Sequence, residues 1–191
     1  MADGPWLVVG LGNPGPRYEG TRHNAGALVL DRLVERAGDR FRGRRGTADV
    51  AETRLAGERV VLAKPRSYMN ESGPPVQGLV AFTKVPLDRL VVVHDELDLP
   101  LGAVKLKSGG GDAGHNGLKS VRRSLGSGDY VRVRVGVGRP QGRQDPADYV
   151  LETFRRAEAD DVELGLETAA DAVETLLARG LEAAQNEVHR S

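Results

Sequence analysis

Six polar side chains of the types found in hydrolytic sites fall in predicted loops or at the ends of predicted strands and helices. They are Asn13, His23, Asn70, Asp95, His115 and Asn116. Catalytic residues of α/β folds collect at such positions because a rigid scaffold holds the loops. The set therefore predicts a hydrolytic site in which histidine moves the proton.

His23 and Asp95 predict a general base and the group that orients it. His23 falls in the predicted first turn of a helix, where the helix dipole favours the neutral imidazole that a base requires. Asp95 ends a buried strand and can accept the second ring N–H of His23, which fixes the tautomer and stabilises the imidazolium. His94 lies inside the same apolar strand and His189 near the end of the chain, so both are interpreted as structural or solvated.

A covalent nucleophile does not accompany this pair. The chain has no cysteine, and no serine lies in a Gly-x-Ser-x-Gly turn. Water is then the expected attacking group, with the amides of Asn13, Asn70 and Asn116 donating to the oxyanion and to substrate carbonyls. General-base catalysis gives about 10²–10⁴-fold and one oxyanion donor about 10²–10³-fold, which suits an activated ester better than an amide.

A metal site is one open alternative. Its candidate ligands are His23, His115, Asp95, Glu96 and Asp98. The short His–Glu spacing typical of zinc enzymes is absent from the sequence. A chelator would abolish a metal-dependent activity and leave a His–Asp water mechanism unchanged, so the two chemistries can be separated.

Nucleotide binding is the second open alternative. Residues 10–15 follow a predicted strand and match the G-x-G-x-x-G pattern of dinucleotide-binding loops. Pro14 and Pro16 remove two backbone donors and delay the next helix, and the acidic residues that follow lie within that helix rather than after a second strand. We therefore interpret these glycines as a turn that places Asn13 at the edge of the sheet.

The elements that must position these residues alternate between strands and helices. Strands are predicted over 6–11, 48–55, 59–63, 90–95, 103–108 and 130–137, and helices over 21–37 with Thr21 as cap, 72–83, 118–125 and from 145 onward. A flexible glycine-rich loop is predicted over 109–117. This order predicts an α/β sandwich, with a twisted mixed β-sheet flanked by helices on both faces.

Length and composition exclude several classes of protein. With 191 residues and 39% hydrophobic content, the chain is expected to form a single domain over 1–191. Runs of apolar or small residues such as 25–30 are far shorter than the roughly 20 residues that cross a bilayer. No signal peptide is expected, because residues 1–5 contain none of the basic side chains with which a signal peptide begins. With no cysteines for disulfides or thiolate ligands, a cytoplasmic location is expected.

The zero net charge hides an uneven distribution. Residues 1–151 carry 23 basic and 17 acidic side chains, and the remainder carries 4 and 10. Arginine, whose forked guanidinium suits phosphate recognition, provides 22 of the 27 basic residues. The first part is therefore expected to meet a polyanion, although a solvated basic surface is an equal reading of composition alone.

Short motifs through nearly the whole chain resemble one family. They are VGLGNPG at 9–15, Tyr18, TRHNAG at 21–26, Met69-Asn70 with Ser72-Gly73, HDELDL at 94–99, GHNGLK at 114–119 and AQN at 184–186. In this order they resemble the bacterial peptidyl-tRNA hydrolases. The resemblance implies a phosphorylase/hydrolase-like fold and a monomer that cleaves the ester between a nascent peptide and the tRNA 3′-terminal ribose, recycling tRNA after premature release. It implies no cofactor, metal, membrane or obligate protein partner.

The same resemblance assigns roles at the pocket. His23 matches the base and Asp95 the group that stabilises its proton-accepting form. Asn13 matches the residue that distinguishes a peptide amide from the charged amine of an ordinary aminoacyl-tRNA. The remaining matches are Tyr18, Tyr68, Asn70 and Asn116, which are expected to contact the substrate end, and Met69, which is expected to line the peptide channel.

The resemblance also implies a phosphate-binding surface. Lys105, Lys107 and Arg134 match its positions, and Lys105 and Lys107 share one strand face. The run Arg40, Arg42, Arg44 and Arg45 lacks this support and is interpreted as a solvated loop. Departures are small: Asp112 and Ala113 stand where many members carry glycine or histidine, and Tyr68 where phenylalanine is common. A tRNA-binding module without catalysis remains the alternative function.

Overall fold

The computed structural model describes residues 4–189, and its seven strands form one mixed sheet. The strands are β1 (Trp6–Gly10), β2 (Gly43–Arg45), β3 (Ala48–Leu55), β4 (Glu58–Pro65), β5 (Leu90–Glu96), β6 (Val104–Ser108) and β7 (Val131–Gly136). Their order across the sheet is β2-β3-β4-β1-β5-β7-β6. The four central strands β4, β1, β5 and β7 are parallel, and the pairs β2–β3, β3–β4 and β6–β7 are antiparallel.

Helices cover both faces of this sheet, which confirms the predicted α/β sandwich. They are α1 (Ala25–Arg36), α2 (Gly73–Thr83), α3 (Asn116–Leu125), α4 (Pro146–Tyr149), α5 (Ala159–Arg179) and α6 (Leu181–His189). α1, α5 and α6 enclose one hydrophobic core, and α2 and α3 enclose the other. Within residues 4–189, no helix has the length and apolar content needed to cross a membrane.

Alternating side chains of the central strands fill the two cores. In β1, Val8 contributes to the core beneath α1 and α5, whereas Leu7 and Val9 contribute to the core beneath α2 and α3. In β5, Val91 and Val92 divide in the same way. Successive strand residues point to opposite faces, so a strand covered on both sides must be apolar throughout. This explains the continuous apolar runs in the sequence.

The carboxyl ends of the parallel strands bring distant segments to one edge of the sheet. The segment 11–24 follows β1, the segment 66–72 follows β4, and β5 itself ends at Asp95 and Glu96. Open parallel sheets bind ligands at this edge because the loops there diverge above the strand ends. The topology thus assembles the candidate residues that lie far apart in the chain.

Two predicted helix starts were wrong. The helix expected from Thr21 begins instead at Ala25, after a 3₁₀ turn over 22–24. Thr21 does not cap it, because its hydroxyl donates to the carbonyl of Tyr18 and its backbone bridges to Thr153. The helix expected from 118 begins at Asn116, because His115 supplies the cap.

The arginine run 40–45 was expected to be a solvated loop, and the acidic residues after 151 were expected to face away from the basic part of the chain. The structure differs from both expectations. Residues 43–45 form the edge strand β2 rather than a loop, although their side chains are exposed. Arg32 and Arg36 of α1 form ion pairs with acidic residues of α5. These partners are Glu163, Glu167, Asp171 and Glu174. The acidic C-terminal part therefore neutralises part of the basic N-terminal part.

Two glycines allow α1 to approach the sheet closely. A Cβ added at Gly26 would lie 2.2 Å from the carbonyl oxygen of Val93 in β5. A Cβ added at Gly10 would lie 2.4 Å from the carbonyl oxygen of Gly26. Gly10, the first glycine of the nucleotide-binding pattern, thus has a packing role in this fold, in agreement with the interpretation that the pattern does not bind phosphate.

We expect Gly26→Ala to lower the free energy of unfolding by about 1–3 kcal/mol, since overpacking a tight interface has this cost. Urea unfolding measures the change. Gly78→Ala in α2 is the matched control, because nothing lies within 4 Å of its added Cβ. That control should gain up to about 1 kcal/mol from helix propensity. A Gly26→Ala protein as stable as wild type would contradict the close packing.

Candidate active site

A pocket of about 460 Å³ opens at the carboxyl edge of the parallel strands. Apart from the lysines and the arginine, every site residue predicted from the sequence lines it. These eight residues are Asn13, Tyr18, His23, Tyr68, Met69, Asn70, Asp95 and Asn116. His115 and Glu96 also line the pocket, and Leu97, Val150 and Leu151 give part of its lining an apolar character. The fold therefore joins residues that lie more than a hundred positions apart in the sequence.

The carboxylate of Asp95 accepts hydrogen bonds from two histidines. Nδ1 of His23 donates to Oδ2 at 2.8 Å, and Nε2 of His115 donates to Oδ1 at 2.7 Å. Only 3% of the Asp95 side chain is exposed, so protein N–H groups replace the water that the carboxylate loses. The structure places His23 and Asp95 in contact. It also shows that His115, which the sequence gave only as a member of the candidate set and as an alternative metal ligand, bonds to the same carboxylate.

These contacts set the tautomers of both imidazoles. The backbone N–H of Leu118 donates to Nδ1 of His115 at 3.2 Å, so the ring proton of His115 lies on Nε2, facing Asp95. The proton of neutral His23 lies on Nδ1, which leaves a lone pair on Nε2. None of the residues 4–189 provides a hydrogen-bond partner for that Nε2. His23 therefore has one ring nitrogen available to a ligand in the pocket.

The charge of Asp95 raises the pKa of His23. Burial disfavours the imidazolium and would lower this pKa, but the charge and the hydrogen bond of Asp95 outweigh burial and raise it above 6.5. The sequence predicted His23 in the first turn of a helix, but it lies in the 3₁₀ turn before α1, and the net effect of its surroundings favours the imidazolium rather than the neutral ring. Burial also opposes ionisation of Asp95, yet the charges of His23 and His115 hold its pKa well below the usual range.

His94 remains neutral beside this network. It is buried, and burial together with neighbouring His115 lowers its pKa to about 3. Its Nδ1 donates to the backbone carbonyl of Asp95 at 2.7 Å, and its ring centroid lies 5.1 Å from that of His115. These contacts agree with the interpretation of His94 as a structural residue.

Three of the candidate metal ligands do meet, since donor atoms of His23, Asp95 and His115 lie within 4.8 Å of one another. Glu96 and Asp98 are separate from them, because they accept from Arg134 and Arg139. The histidine nitrogens that face Asp95 carry protons, whereas a metal ligand must offer a lone pair. The arrangement is therefore a hydrogen-bonded network rather than a preformed metal cage.

Asn13 is held in place by Asn24 and Met69. The backbone N–H of Asn13 donates to Oδ1 of Asn24 at 2.9 Å, and Nδ2 of Asn24 donates to the Asn13 carbonyl at 3.0 Å. Oδ1 of Asn13 accepts from the backbone N–H of Met69 at 2.7 Å. The amide of Asn13 therefore has N–H donors left for a ligand. Sequence reasoning missed Asn24, although its position directly after His23 in one motif was a usable signal.

Arg22 fastens the His23 turn to the segment that follows α4. Its side chain is 2% exposed, and its guanidinium donates to Glu158 at 2.8 Å and lies 4.2 Å from the centre of the Tyr149 ring. The backbone N–H of His23 donates to the carbonyl of Val150 at 2.8 Å. The segment after α4 thus fixes the backbone of His23, while Asp95 fixes its side chain. The sequence did not indicate this contact with the segment after α4.

The predicted basic residues lie outside the pocket on neighbouring strands. Lys105 of β6 is paired in register with Arg134 of β7, and Lys107 is paired with Arg132. The side chain of Lys105 is exposed and that of Lys107 is half-buried. Nε of Arg134 donates to Glu96 at 3.0 Å. The four basic side chains therefore point to one face of the sheet, but Arg132 is fully buried, so only Lys105, Lys107 and Arg134 contribute to the surface.

Comparison with known proteins identifies the family. The sequence model of the family described as peptidyl-tRNA hydrolase matches residues 7–191. The chain belongs to the peptidyl-tRNA hydrolase family. Peptidyl-tRNA hydrolases of Frankia casuarinae and Nocardia farcinica are 63% and 60% identical to it over 187 residues, covering 98% and 97% of this chain and 95% and 97% of theirs.

Solved structures of the family have the same fold. The crystal structure of peptidyl-tRNA hydrolase from Acinetobacter baumannii is similar with a TM-score of 0.87 at 31% identity. A point mutant of the Acinetobacter protein gives a TM-score of 0.90 at 32% identity. Each comparison covers 98% of this chain and 96% of the other. The resemblance found in the sequence motifs is thereby confirmed at the level of family and fold.

Titration of the histidine rings by NMR tests the electrostatics of this site. We expect His23 to titrate above 6.5 in the wild type, and below 6.5 in Asp95→Asn, where burial remains without the charge that opposes it. His94 is the internal control, because it should stay neutral between about pH 5 and 8. An unchanged His23 pKa in Asp95→Asn would contradict the assignment of Asp95 as the cause.

Proposed function

We propose that this chain hydrolyses the ester between a peptide, or an N-blocked amino acid, and the 3′-terminal ribose of tRNA. The observation that carries the proposal is the free Nε2 of His23, oriented through Nδ1 by buried Asp95 in a pocket with asparagine donors. Membership of the peptidyl-tRNA hydrolase family supports it. In the cell, this reaction would recycle tRNA from prematurely released peptidyl-tRNA and so contribute to ribosome rescue.

Nε2 of His23 acts as a general base. It takes a proton from a water whose oxygen attacks the ester carbonyl, and Asp95 stabilises the imidazolium. The bond between the carbonyl carbon and the ribose oxygen then breaks, and the imidazolium returns the proton to that oxygen. No cofactor or metal takes part in these steps. The base works only when neutral, so the rate should fall as the pH decreases through the raised pKa of His23.

The asparagines hold the reacting carbonyl and select the substrate. Amide groups of Asn70 and Asn116 line the pocket and donate to the oxyanion or to peptide carbonyls. Asn13 presents N–H donors because Met69 occupies its oxygen. A donor can bind the carbonyl of a blocked amino acid but offers nothing to a free ammonium, which also only donates. Asn13 therefore favours peptidyl-tRNA over ordinary aminoacyl-tRNA.

The remaining pocket residues hold the substrate end and the peptide. The rings of Tyr18 and Tyr68 meet edge to face at 6.5 Å, and Tyr68 is 57% exposed, so a base or a peptide side chain can pack against it. Met69 and the apolar lining at Val150 and Leu151 provide unspecific contacts for varied peptide side chains. This composition suits a substrate whose peptide sequence differs from one turnover to the next.

The tRNA body binds the basic strand face outside the pocket. Lys105 and Lys107 lie next to each other on this face. Arg134 donates to Glu96 through Nε, so its two Nη groups can donate to a phosphate. Guanidinium and ammonium groups in such an array neutralise backbone phosphates without reading sequence. We further propose that residues 1–191 work as one domain, as a cytoplasmic monomer without an obligate protein partner.

Hydrolysis of N-acetyl-aminoacyl-tRNA, compared with the same tRNA carrying a free amine, tests this function. We expect cleavage of the blocked substrate alone, unchanged by EDTA. His23→Ala should lower kcat by about 10²–10⁴-fold because it removes the base, and tRNA affinity should be retained. The matched control is His189→Ala, which removes an exposed histidine at the end of α6.

Near-normal turnover by His23→Ala would overturn the assignment of the base. A wild type that binds both tRNAs and cleaves neither would favour the binding-module alternative. Loss of cleavage in EDTA would point to a metal mechanism. A rise in melting temperature with NAD or ATP would reopen nucleotide binding.

A further inference from the structure

The segment 109–115 has a composition that should make it mobile. Gly109, Gly110 and Gly114 have φ of 71°, 102° and 79°, and Ala113 has φ of 48°. Glycine adopts such conformations freely, so the chain has many alternatives to the observed path. This segment leads directly into the residues that contact Asp95 and line the pocket. Something outside the segment must therefore hold it in place.

Arg132 of β7 is the first of two holding groups. Its side chain is fully buried. Nη1 donates to the carbonyl of Gly111 at 2.8 Å, and Nη2 donates to the carbonyls of Gly110 at 3.0 Å and Gly128 at 3.2 Å. Nη1 also donates to Oδ1 of Asp112 at 3.1 Å. A buried charge needs such partners, so Arg132 and the backbone of the segment depend on each other.

Arg122 of α3 is the second group. Its Nε donates to Oδ2 of Asp112 at 3.0 Å, and its Nη2 donates to the carbonyl of Gly110. A Cβ added at Gly128 would lie 2.3 Å from Nη2 of Arg122, so glycine leaves room for this guanidinium. Burial would raise the pKa of Asp112, but its bonds to Arg122 and Arg132 lower it, and the carboxylate stays charged. We call Asp112, Arg122 and Arg132 the Asp112 clip.

The Asp112 clip connects to the candidate base in two steps. The carbonyl of Asp112 accepts the backbone N–H of His115 at 2.8 Å. The side chain of His115 then caps α3 and donates to Asp95, which in turn orients His23. Asn116, the first residue of α3, lines the pocket. The position of the clip thus determines where two pocket groups lie.

We propose that the Asp112 clip is a set of positioning residues that holds His115 against Asp95 and Asn116 against the substrate. The proposal rests on the hydrolytic function proposed above. Small displacements of groups around a reacting centre can cost about 10²-fold in rate, so residues that never touch the substrate can matter for turnover. A purely stabilising role would instead appear as a lower melting temperature without a specific kinetic effect.

Arg122→Gln is the main test, because 41% of the Arg122 side chain is exposed and its loss leaves Arg132 paired with Asp112. We expect kcat for N-acetyl-aminoacyl-tRNA to fall about 10-fold and KM to rise, with little change in melting temperature. Arg123→Gln is the matched control: it removes the same charge from the same helix at an exposed side chain. Its kinetics should stay close to wild type, which excludes a general effect of charge on tRNA binding.

Combining Arg122→Gln with His115→Ala separates a positioning role of Arg122 from a purely stabilising one. His115→Ala should itself lower kcat. If Arg122 acts on the base through His115, Arg122→Gln should change kcat by less than about twofold in that background. The KM effect, which passes through the contact of Asn116 with peptide carbonyls of the substrate, should remain. Full additivity of the two kcat effects, or unchanged kcat in His115→Ala, would overturn the proposed connection.

Hydrogen exchange provides a readout that needs no activity. Amides of 109–117 should exchange faster in Arg122→Gln than in Arg123→Gln, because one half of the clip is missing. Equal exchange in the two variants would overturn the clip. Absence of hydrolysis by the wild type would count against the proposed function alone, since the exchange comparison would still decide whether the clip orders the segment.

Discussion

The buried negative charge of Asp95 is the constraint on which the rest of the site depends. A carboxylate removed from water is costly unless hydrogen-bond donors replace the lost hydration. Here the two donors come from His23, on the segment after β1, and His115, on the segment before α3. Both segments must therefore converge on the end of β5. The same contacts that make burial of the charge tolerable give His23 its tautomer and its raised pKa.

Two buried arginines keep the converging segments in place. Arg22 binds the segment after α4 to the His23 turn, and Arg132 binds the carbonyls of 110–111 before His115. Each guanidinium makes several charge-assisted bonds to backbone carbonyls, which fixes the direction of a loop more firmly than one side-chain contact does. Buried cations thus hold the active-site loops in place, while the amide groups of Asn70 and Asn116 and the rings of Tyr18 and Tyr68 line the pocket and Asn13 keeps its Nδ2 for a ligand.

Periodicity in the sequence was sufficient for six of the seven strands within residues 4–189, for the main helices and for Asp95 near the end of β5, but it missed the edge strand β2. Positions in predicted loops and at strand ends were sufficient to group Asn13, His23, Asn70, Asp95, His115 and Asn116, because strand ends of a parallel sheet meet at one edge. Tyr18, Tyr68 and Met69 came from the family resemblance alone. Periodicity was insufficient for the burial of Arg132, because this residue alternates with valines as an exposed strand residue would. Its burial depends on carbonyls of a distant glycine-rich loop. The role of His115 was missed for the same reason: its partners are a helix start and a carboxylate 20 residues away.

The ¹⁵N chemical shifts of the His23 ring, measured at a pH above its pKa, test the central claim most directly. The account predicts a protonated Nδ1, bonded to Asp95, and an unprotonated Nε2 that is available to water in the pocket. A proton on Nε2 instead would contradict it. In that tautomer the nitrogen left for the substrate would have no lone pair, and His23 could not act as the base.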